Sequence, residues 1–316
     1  MKALITGVAG FVGSTLASRL VSGGHTVVGI DVLTDYYDIA LKQANLARIS
    51  PDGFEFVEDD LNEVDLDQLL EGVEYVFHEA GQPGVRKSWG SDFEIYTSQN
   101  INATQRLLES ARRSTGLKKL VYASSSSVYG DAERYPTTER DRPQPISPYG
   151  VTKLAAEHLC TLYGRSFGVP TVSLRYFTVY GPRQRPDMAF TRFIKAAILD
   201  EEITIFGTGD QIRDFTFVDD VVEANIMAAL SETIKPGSVF NVAGGSSISV
   251  NGVLDLLAEL SGRTLRITRK DPVPGDVFRT GGSTDLIRDE VGWLSTVSIG
   301  EGLKRHLEWG HSVFGQ

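Results

Sequence analysis

Tyr149 and Lys153 stand four positions apart in SPYGVTK, residues 147 to 153, which reads as the opening of a helix. Residues at i and i+4 share a helix face, so the phenol and the ammonium point into one cleft. A free phenol has a pKa of about 10 and is a poor base at neutral pH. A neighbouring ammonium, or any further positive charge held in the same cleft, favours the phenolate and brings that pKa towards the range where proton transfer is efficient. The same spacing also occurs on plain helix surfaces, so its surroundings decide. Upstream, KKLVYA reads as a strand ending in Ser124-Ser125-Ser126-Ser127. At the carboxyl edge of a parallel sheet, where ligands bind, these serines either form a polar turn or hydrogen-bond a substrate hydroxyl while Tyr149 takes its proton.

The other chemical element is TGVAGFVG, with Gly7, Gly10 and Gly13 directly after a strand pattern and at the start of a helical one. Glycine permits the tight turn and lets backbone N–H groups, including those around Phe11 and Val12, approach a pyrophosphate at the positive helix end. Alone, such a run is also a simple β–α turn. Here Asp31 ends the next strand, 18 residues after Gly13, near the offset expected for an acid that grips a ribose. It accepts hydrogen bonds from a free 2′-hydroxyl and repels a 2′-phosphate, so NAD is expected over NADP. Asp60-Leu61, after FEFVED, either flanks the adenine or is an ordinary acidic loop.

These residues need a scaffold. Short apolar runs (KALIT, TVVGID, EYVFHEA, KKLVYASS) alternate with helical patterns, which predicts a doubly wound α/β fold on a parallel sheet buried on both faces. The rhythm changes after PTVSLRYFTVYG. The expected division is a dinucleotide-binding Rossmann domain over 1–176 and a smaller α/β substrate domain over 177–316, with a segment near 215–245 returning to the first sheet. No internal repeat, low-complexity segment or metal-ligating cluster is read from the sequence.

The 316 residues are 41% hydrophobic and 23% charged, an ordinary globular composition. A formal net charge of −10 repels polyanions and argues against nucleic acid, while a local basic pocket can still hold one small anion. Cys160 is the single cysteine, cannot form an internal disulfide and sits in an apolar-periodic stretch, which suits a small buried hydrophobe in a reducing cytoplasm. Neither an export signal nor a membrane span is expected.

TGVAGFVG, SSSSVYG, SPYGVTK, LRYFTVYGPRQRPDMAF, GTGDQIRDFTFVDD and PGDVFRT together resemble the extended short-chain dehydrogenase/reductases that act on nucleotide sugars, over nearly the whole chain. The resemblance implies Tyr149 as base, Lys153 lowering its pKa and gripping the nicotinamide ribose, and Ser125 assisting at the sugar hydroxyl. It implies Asn100 near the cofactor and Thr178 beside the sugar. Arg185, Arg213 and Arg279 correspond to arginines that hold the diphosphate, and Asp276 to a candidate for the uridine ribose. Planar guanidinium donors pair with phosphate oxygens in twos, although each arginine alone also fits a surface ion pair. The resemblance also implies a homodimer, packed through the helix carrying Tyr149 and the long helix before it.

RYFTVYGPRQRPDMAF is most similar to the UDP-glucuronate 4-epimerases, whose tightly held NAD oxidises the sugar at C4 and reduces it again on the other face. The transient β-keto acid loses carbon dioxide readily, so the carboxylate needs firm binding, for which Ser125, Ser126 and Thr178 are the expected donors. Ser127 stands where the similar dehydratases and decarboxylases carry an acid, which argues against dehydration. UDP-glucuronate decarboxylation and 4-epimerisation of neutral UDP-hexoses stay open as alternatives. A redox-sensing protein without catalysis is disfavoured by the intact Tyr149, Lys153 and Ser125. In HEAGQPGVR, Glu79 and Gly81 depart from the similar HLAAQAGVR; Glu79 either points away from NAD or faces it and alters its affinity or redox poise. Arg86, later in that loop, is a candidate for contacting the substrate.

Overall fold

The computed structural model describes residues 1–271 and 277–315. Strands β1 (Lys2–Thr6), β2 (Thr26–Asp31), β3 (Phe54–Glu58), β4 (Tyr75–His78), β5 (Lys119–Ser125) and β6 (Thr171–Tyr176) alternate with helices. The helices are α1 (Phe11–Ser22), α2 (Ile39–Leu46), α3 (Leu66–Leu69), α4 (Phe93–Tyr96), α5 (Ala103–Arg113) and α6 (Pro148–Phe167). Next come β7 (Val179–Tyr180), α7 (Ala189–Leu199), β8 (Glu202–Phe206), β9 (Ile212–Asp214), β10 (Thr216–Phe217) and α8 (Val218–Leu230). The chain closes with β11 (Ser238–Val242), β12 (Ser247–Ser249), α9 (Val250–Ser261), β13 (Arg266–Lys270), α10 (Asp285–Val291) and α11 (Ile299–Phe314).

The seven-stranded sheet has the order β11-β6-β5-β4-β1-β2-β3, with every pairing parallel. The strand order reverses between β4 and β1, which opens a crevice at their carboxyl ends. One face is covered by α1 and α8, through Val8, Leu16, Val221 and Phe240. The other is covered by α5 and α6, through Leu107, Ala156 and Cys160, whose thiol is buried. Burial on both faces explains why these strands read as continuous apolar runs.

Beyond β6 the chain passes between two cores. α8 and β11 join the sheet's layers, and so do Ile287 of α10 and Trp293, a later return than the 215–245 segment read from the sequence. Local spacing carries no signal for it, because the anchor is tertiary: Asp220 of α8 accepts from Ser295 Oγ at 2.8 Å and from the Thr296 and Val297 amides at 3.1 Å. α7, α9, α11 and the β8–β13 pair enclose the smaller core, which Phe11 of α1 also enters. Among the described residues no helix is long and apolar enough to cross a membrane.

Candidate active site

Gly7 leaves β1 at φ +68°, and a Cβ there would lie 2.8 Å from the Ala80 backbone. A Cβ at Gly13 would run into the Gly7 carbonyl. Both positions therefore exclude side chains, which lets the α1 backbone close over the crevice. α1 starts after Gly10 with no side-chain cap and no acid in its first turn, so its leading N–H groups remain available to an anion. Asp31 Oδ2 accepts from the Ala9 amide at 3.1 Å and Oδ1 from Leu33 at 2.9 Å, which aims the carboxylate along the cleft from the end of β2. Asp60 is held by the Asn62 amide at 2.8 Å and by Gln99 at 2.9 Å. The side-chain-free cradle and the oriented acid fit a dinucleotide.

At the other end of the same cleft, of about 460 Å³, stand Ser125, Ser126, Tyr149 and Lys153. Ser147 caps α6 by accepting from the Gly150 amide at 3.1 Å, with Pro148 in the first turn. Gly150 sets how deep the helix sits: a Cβ there would lie 2.6 Å from the Ser127 carbonyl oxygen. Glycine between tyrosine and lysine thus lets α6 press on the serine turn, and Tyr149 hydrogen-bonds Ser125. Asn100, buried in the π-helical stretch Thr97–Asn102, accepts from the Gln82 amide at 2.7 Å and donates to Thr152 at 2.9 Å. Thr152 in turn donates to the Tyr149 carbonyl at 2.8 Å, so Asn100 ties the loop after β4 to the catalytic helix.

Burial raises the Tyr149 phenol, and the protein groups that oppose it are the Ser125 hydrogen bond and the Arg185 guanidinium. Burial pushes Lys153 down to about 8 against the opposing charge of Glu79. The Lys153 ammonium rests 4.5 Å over the Tyr122 ring. Glu79 lines the cleft rather than pointing away. Burial pushes its carboxyl up to about 7, against a hydrogen bond from Tyr176 and the charge of Lys153.

Thr178 and Arg185 also line this cleft, with Arg185 paired in two bonds of 3.0 Å to Asp187. The cleft thus brings together Gly7, Gly10, Phe11, Val12, Gly13, Asp31, Asp60, Leu61 and Asn100 with Ser125, Ser126, Tyr149, Lys153, Thr178 and Arg185. Arg86, Arg213 and Arg279 lie outside this lining. The Arg86 guanidinium stacks 4.6 Å over Phe206, Arg213 donates to the Phe278 carbonyl at 3.0 Å, and Arg279 stacks 4.9 Å over Tyr135. Asp276 is outside the described residues. The sequence reading missed Tyr36, Tyr37, Lys42, Gln82 and Tyr176, all of which line the cleft. Tyr176 had a usable signal, as the last residue of a parallel strand; Tyr36 and Tyr37 reach the cleft only through the fold of the loop after β2.

A parallel sheet with a glycine turn, a ribose-directed acid and a Tyr/Lys/Ser set at its carboxyl edge defines an NAD-dependent enzyme of the short-chain dehydrogenase/reductase type. A model of the NAD dependent epimerase/dehydratase family matches residues 3–243, and the chain belongs to that family. It is 42% identical over 316 residues to the "Uncharacterized UDP-glucose epimerase YtcB" of Bacillus subtilis (strain 168), covering 99% of both chains. It is also similar to the UDP-glucuronic acid 4-epimerase of Bacillus cereus, solved in complex with UDP-glucuronic acid and NAD. That likeness has a TM-score of 0.95 and 40% identity, covering 99% of this chain and 100% of that one. A tyrosine-to-phenylalanine mutant of the same enzyme, with UDP-4-deoxy-4-fluoro-glucuronic acid and NAD, matches at a TM-score of 0.95 and 39% identity over 99% of this chain and 100% of that one.

Proposed function

We propose that the chain interconverts UDP-glucuronate and UDP-galacturonate through a 4-keto sugar, with NAD as a tightly bound prosthetic group. The observation that carries this reading is the convergence of Tyr149, Ser125, Ser126, Thr178 and Arg185 at one end of a cleft whose other end holds Asp31 and the glycine turn. NAD, when bound, takes the C4 hydrogen as hydride and returns it to the opposite face of the sugar. Tyr149 takes the O4 proton as the C–O bond becomes a carbonyl and gives it back on return. Ser125 holds O4 at hydrogen-bond distance from the phenol, and Lys153 holds the nicotinamide ribose. Asn100 keeps the loop after β4 docked on α6. Ser126 and Thr178 hold the sugar carboxylate with neutral donors, which keeps it in the carbonyl plane and slows loss of carbon dioxide. Arg185, in the cleft lining, and Arg213 and Arg279, from outside it, meet the diphosphate, with Asp276 at the uridine ribose and Arg86 approaching the substrate; Gly7, Gly10, Phe11, Val12, Gly13, Asp31, Asp60 and Leu61 hold the dinucleotide.

The test is product analysis with UDP-glucuronate and no added cofactor. UDP-galacturonate is expected; a UDP-pentose with carbon dioxide, or no product, overturns the reading. Ser126→Ala with Thr178→Ala is expected to raise the share of decarboxylated product several-fold, and an unchanged share removes the assigned carboxylate donors. A second reading, 4-epimerisation of neutral UDP-hexoses, is favoured by the name of the Bacillus subtilis relative. UDP-glucose in the same assay separates the two.

The proposal extends to a cytoplasmic homodimer. Val151 and Leu162, about three turns apart on one face of α6, are both exposed, and sedimentation at micromolar concentration is expected to give twice the chain mass.

A further inference from the structure

Glu79 follows β4 directly, beside the point where the strand order reverses. Its carboxylate accepts from the Tyr176 hydroxyl at 2.8 Å. Asn225 on α8 meets the same hydroxyl with its whole amide. Its Nδ2 donates to the Val221 carbonyl at 2.8 Å and to the Tyr176 oxygen at 2.7 Å, while its Oδ1, at 3.0 Å, is a second and longer acceptor for the phenolic hydrogen beside Glu79. Tyr176 and Asn225 reach the crevice from the α8 side of the sheet, whereas Lys153 enters from α6 on the other side. Gly81 keeps this loop tight against that second layer, since a Cβ there would lie 2.9 Å from Asn100 Oδ1 and 3.9 Å from Lys153 Nζ. A carboxylate and an ammonium thus enter one crevice from opposite layers of the sheet, and the mechanism above uses only the ammonium, to hold the nicotinamide ribose.

We propose that Glu79 sets the redox poise of the bound nicotinamide, its carboxylate favouring the cationic oxidised ring over the neutral reduced one. This rests on the NAD-dependent reading above. Reduction adds a hydride to the ring and cancels its positive charge, while the proton from the sugar hydroxyl goes to Tyr149. A fixed negative charge at that end of the cleft therefore stabilises only the oxidised partner, and a fixed positive charge at Lys153 opposes it. Coulomb energies at a few ångströms in a partly buried site are on the order of kilocalories, large enough to move the balance severalfold. The Tyr176 hydrogen bond and the Lys153 charge only partly offset the burial that pushes the carboxyl up to about 7, so the carboxylate carries its charge on the alkaline side of neutrality. The cofactor then rests oxidised between turnovers, and the keto sugar is reduced promptly instead of persisting in a form that loses carbon dioxide.

The experiment is a redox titration of the purified holoenzyme, read by the absorbance of the reduced ring, for the parent, Glu79→Gln and Glu79→Asp. Gln keeps an acceptor for Tyr176 and removes the charge. The expected result is a roughly tenfold shift towards the reduced cofactor at fixed potential in Glu79→Gln, ~30 mV for a two-electron couple, with Asp close to the parent. The same tenfold change must appear in the ratio of NAD+ to NADH dissociation constants, so preferential loss of NAD+ from the Gln variant supports the proposal as well. A Gln variant that keeps NAD at the parental midpoint overturns it, as does a shift in the opposite direction. A parent that carries NAD and epimerises while Gln leaves the midpoint unmoved sinks this inference alone; a parent that binds no NAD sinks the family reading with it.

Discussion

Two glutamates stand close to Lys153, and they are treated in opposite ways. Glu157 on α6 is buried and fully matched: Arg175 donates to it at 2.9 and 2.6 Å, and Ser124 at 2.6 Å. Arg175 reaches on to the Tyr129 hydroxyl at 2.6 Å, and Tyr129 to Asn241 at 2.8 Å, so one hydrogen-bonded chain joins α6, β5, β6 and β11 beneath the site. Glu79 has one phenolic donor and an ammonium felt across the cleft. A charge matched on every side is scaffold, since neither proton nor ligand can improve its situation. A charge left short of partners responds to whatever enters beside it.

The contrast can be broken at the site, at the scaffold and at the pH axis. The largest effect is expected at the site: Tyr149→Phe lowers epimerisation by about 10²–10⁴, roughly 3–5 kcal/mol in the barrier, while the holoenzyme still carries NAD. A steady-state rate within a few-fold of the parent removes the phenol from the proton-transfer step. Next, Glu157→Ala leaves Arg175 buried and uncompensated and is expected to cost about 3–5 kcal/mol of unfolding stability. Denaturant unfolding of Glu79→Gln should move by no more than about 1 kcal/mol, because its amide still accepts from Tyr176. Equal losses at the two positions would erase the distinction.

A smaller effect lies in pH. The Glu79 carboxyl is pushed up to about 7, above its ordinary value, so it gains its charge as the pH rises through neutrality. The oxidised ring prefers the charged form, so NAD+ affinity should rise from about pH 6 to about pH 8, by up to roughly tenfold. Tyr176 and Tyr122, the phenols beside it, are raised well above their ordinary values and stay protonated throughout. Lys153, lowered to about 8, loses its charge only at the top of this range. In Glu79→Gln the rise should therefore be confined to the alkaline side, as equilibrium dialysis across the range would show. Smallest of all, Ser147→Ala removes the cap of α6 for about 1 kcal/mol of stability, with kcat falling only as far as Tyr149 loosens against Ser125.

Much of the site was legible because it is local. The four-residue spacing of Tyr149 and Lys153 survives any packing of α6, and the glycine turn needs only β1 and α1 to form. The serines were placed by a single assumption, that β5 belongs to a parallel sheet. What was missed depends on long closures. Tyr176 meets Glu79 across 97 residues, and Asn225 meets Tyr176 across 49. Arg213 and Arg279 were read as one group with Arg185, yet they stack and bond along the β9 edge outside the lining of the cleft.

The sequence by itself determined the parallel sheet, the glycine turn and the shared face of Tyr149 and Lys153, since periodicity, glycine placement and helix spacing act within a few residues of one another, while the roles read for that pair came from the family resemblance. Only the tertiary structure decided which way Glu79 faces and which glutamate is matched. Orientation at a strand's end is set by partners that other elements bring in, here Tyr176 from β6 and Asn225 from α8, and the electrostatic cost of a buried carboxylate is fixed by those partners rather than by its neighbours in the chain.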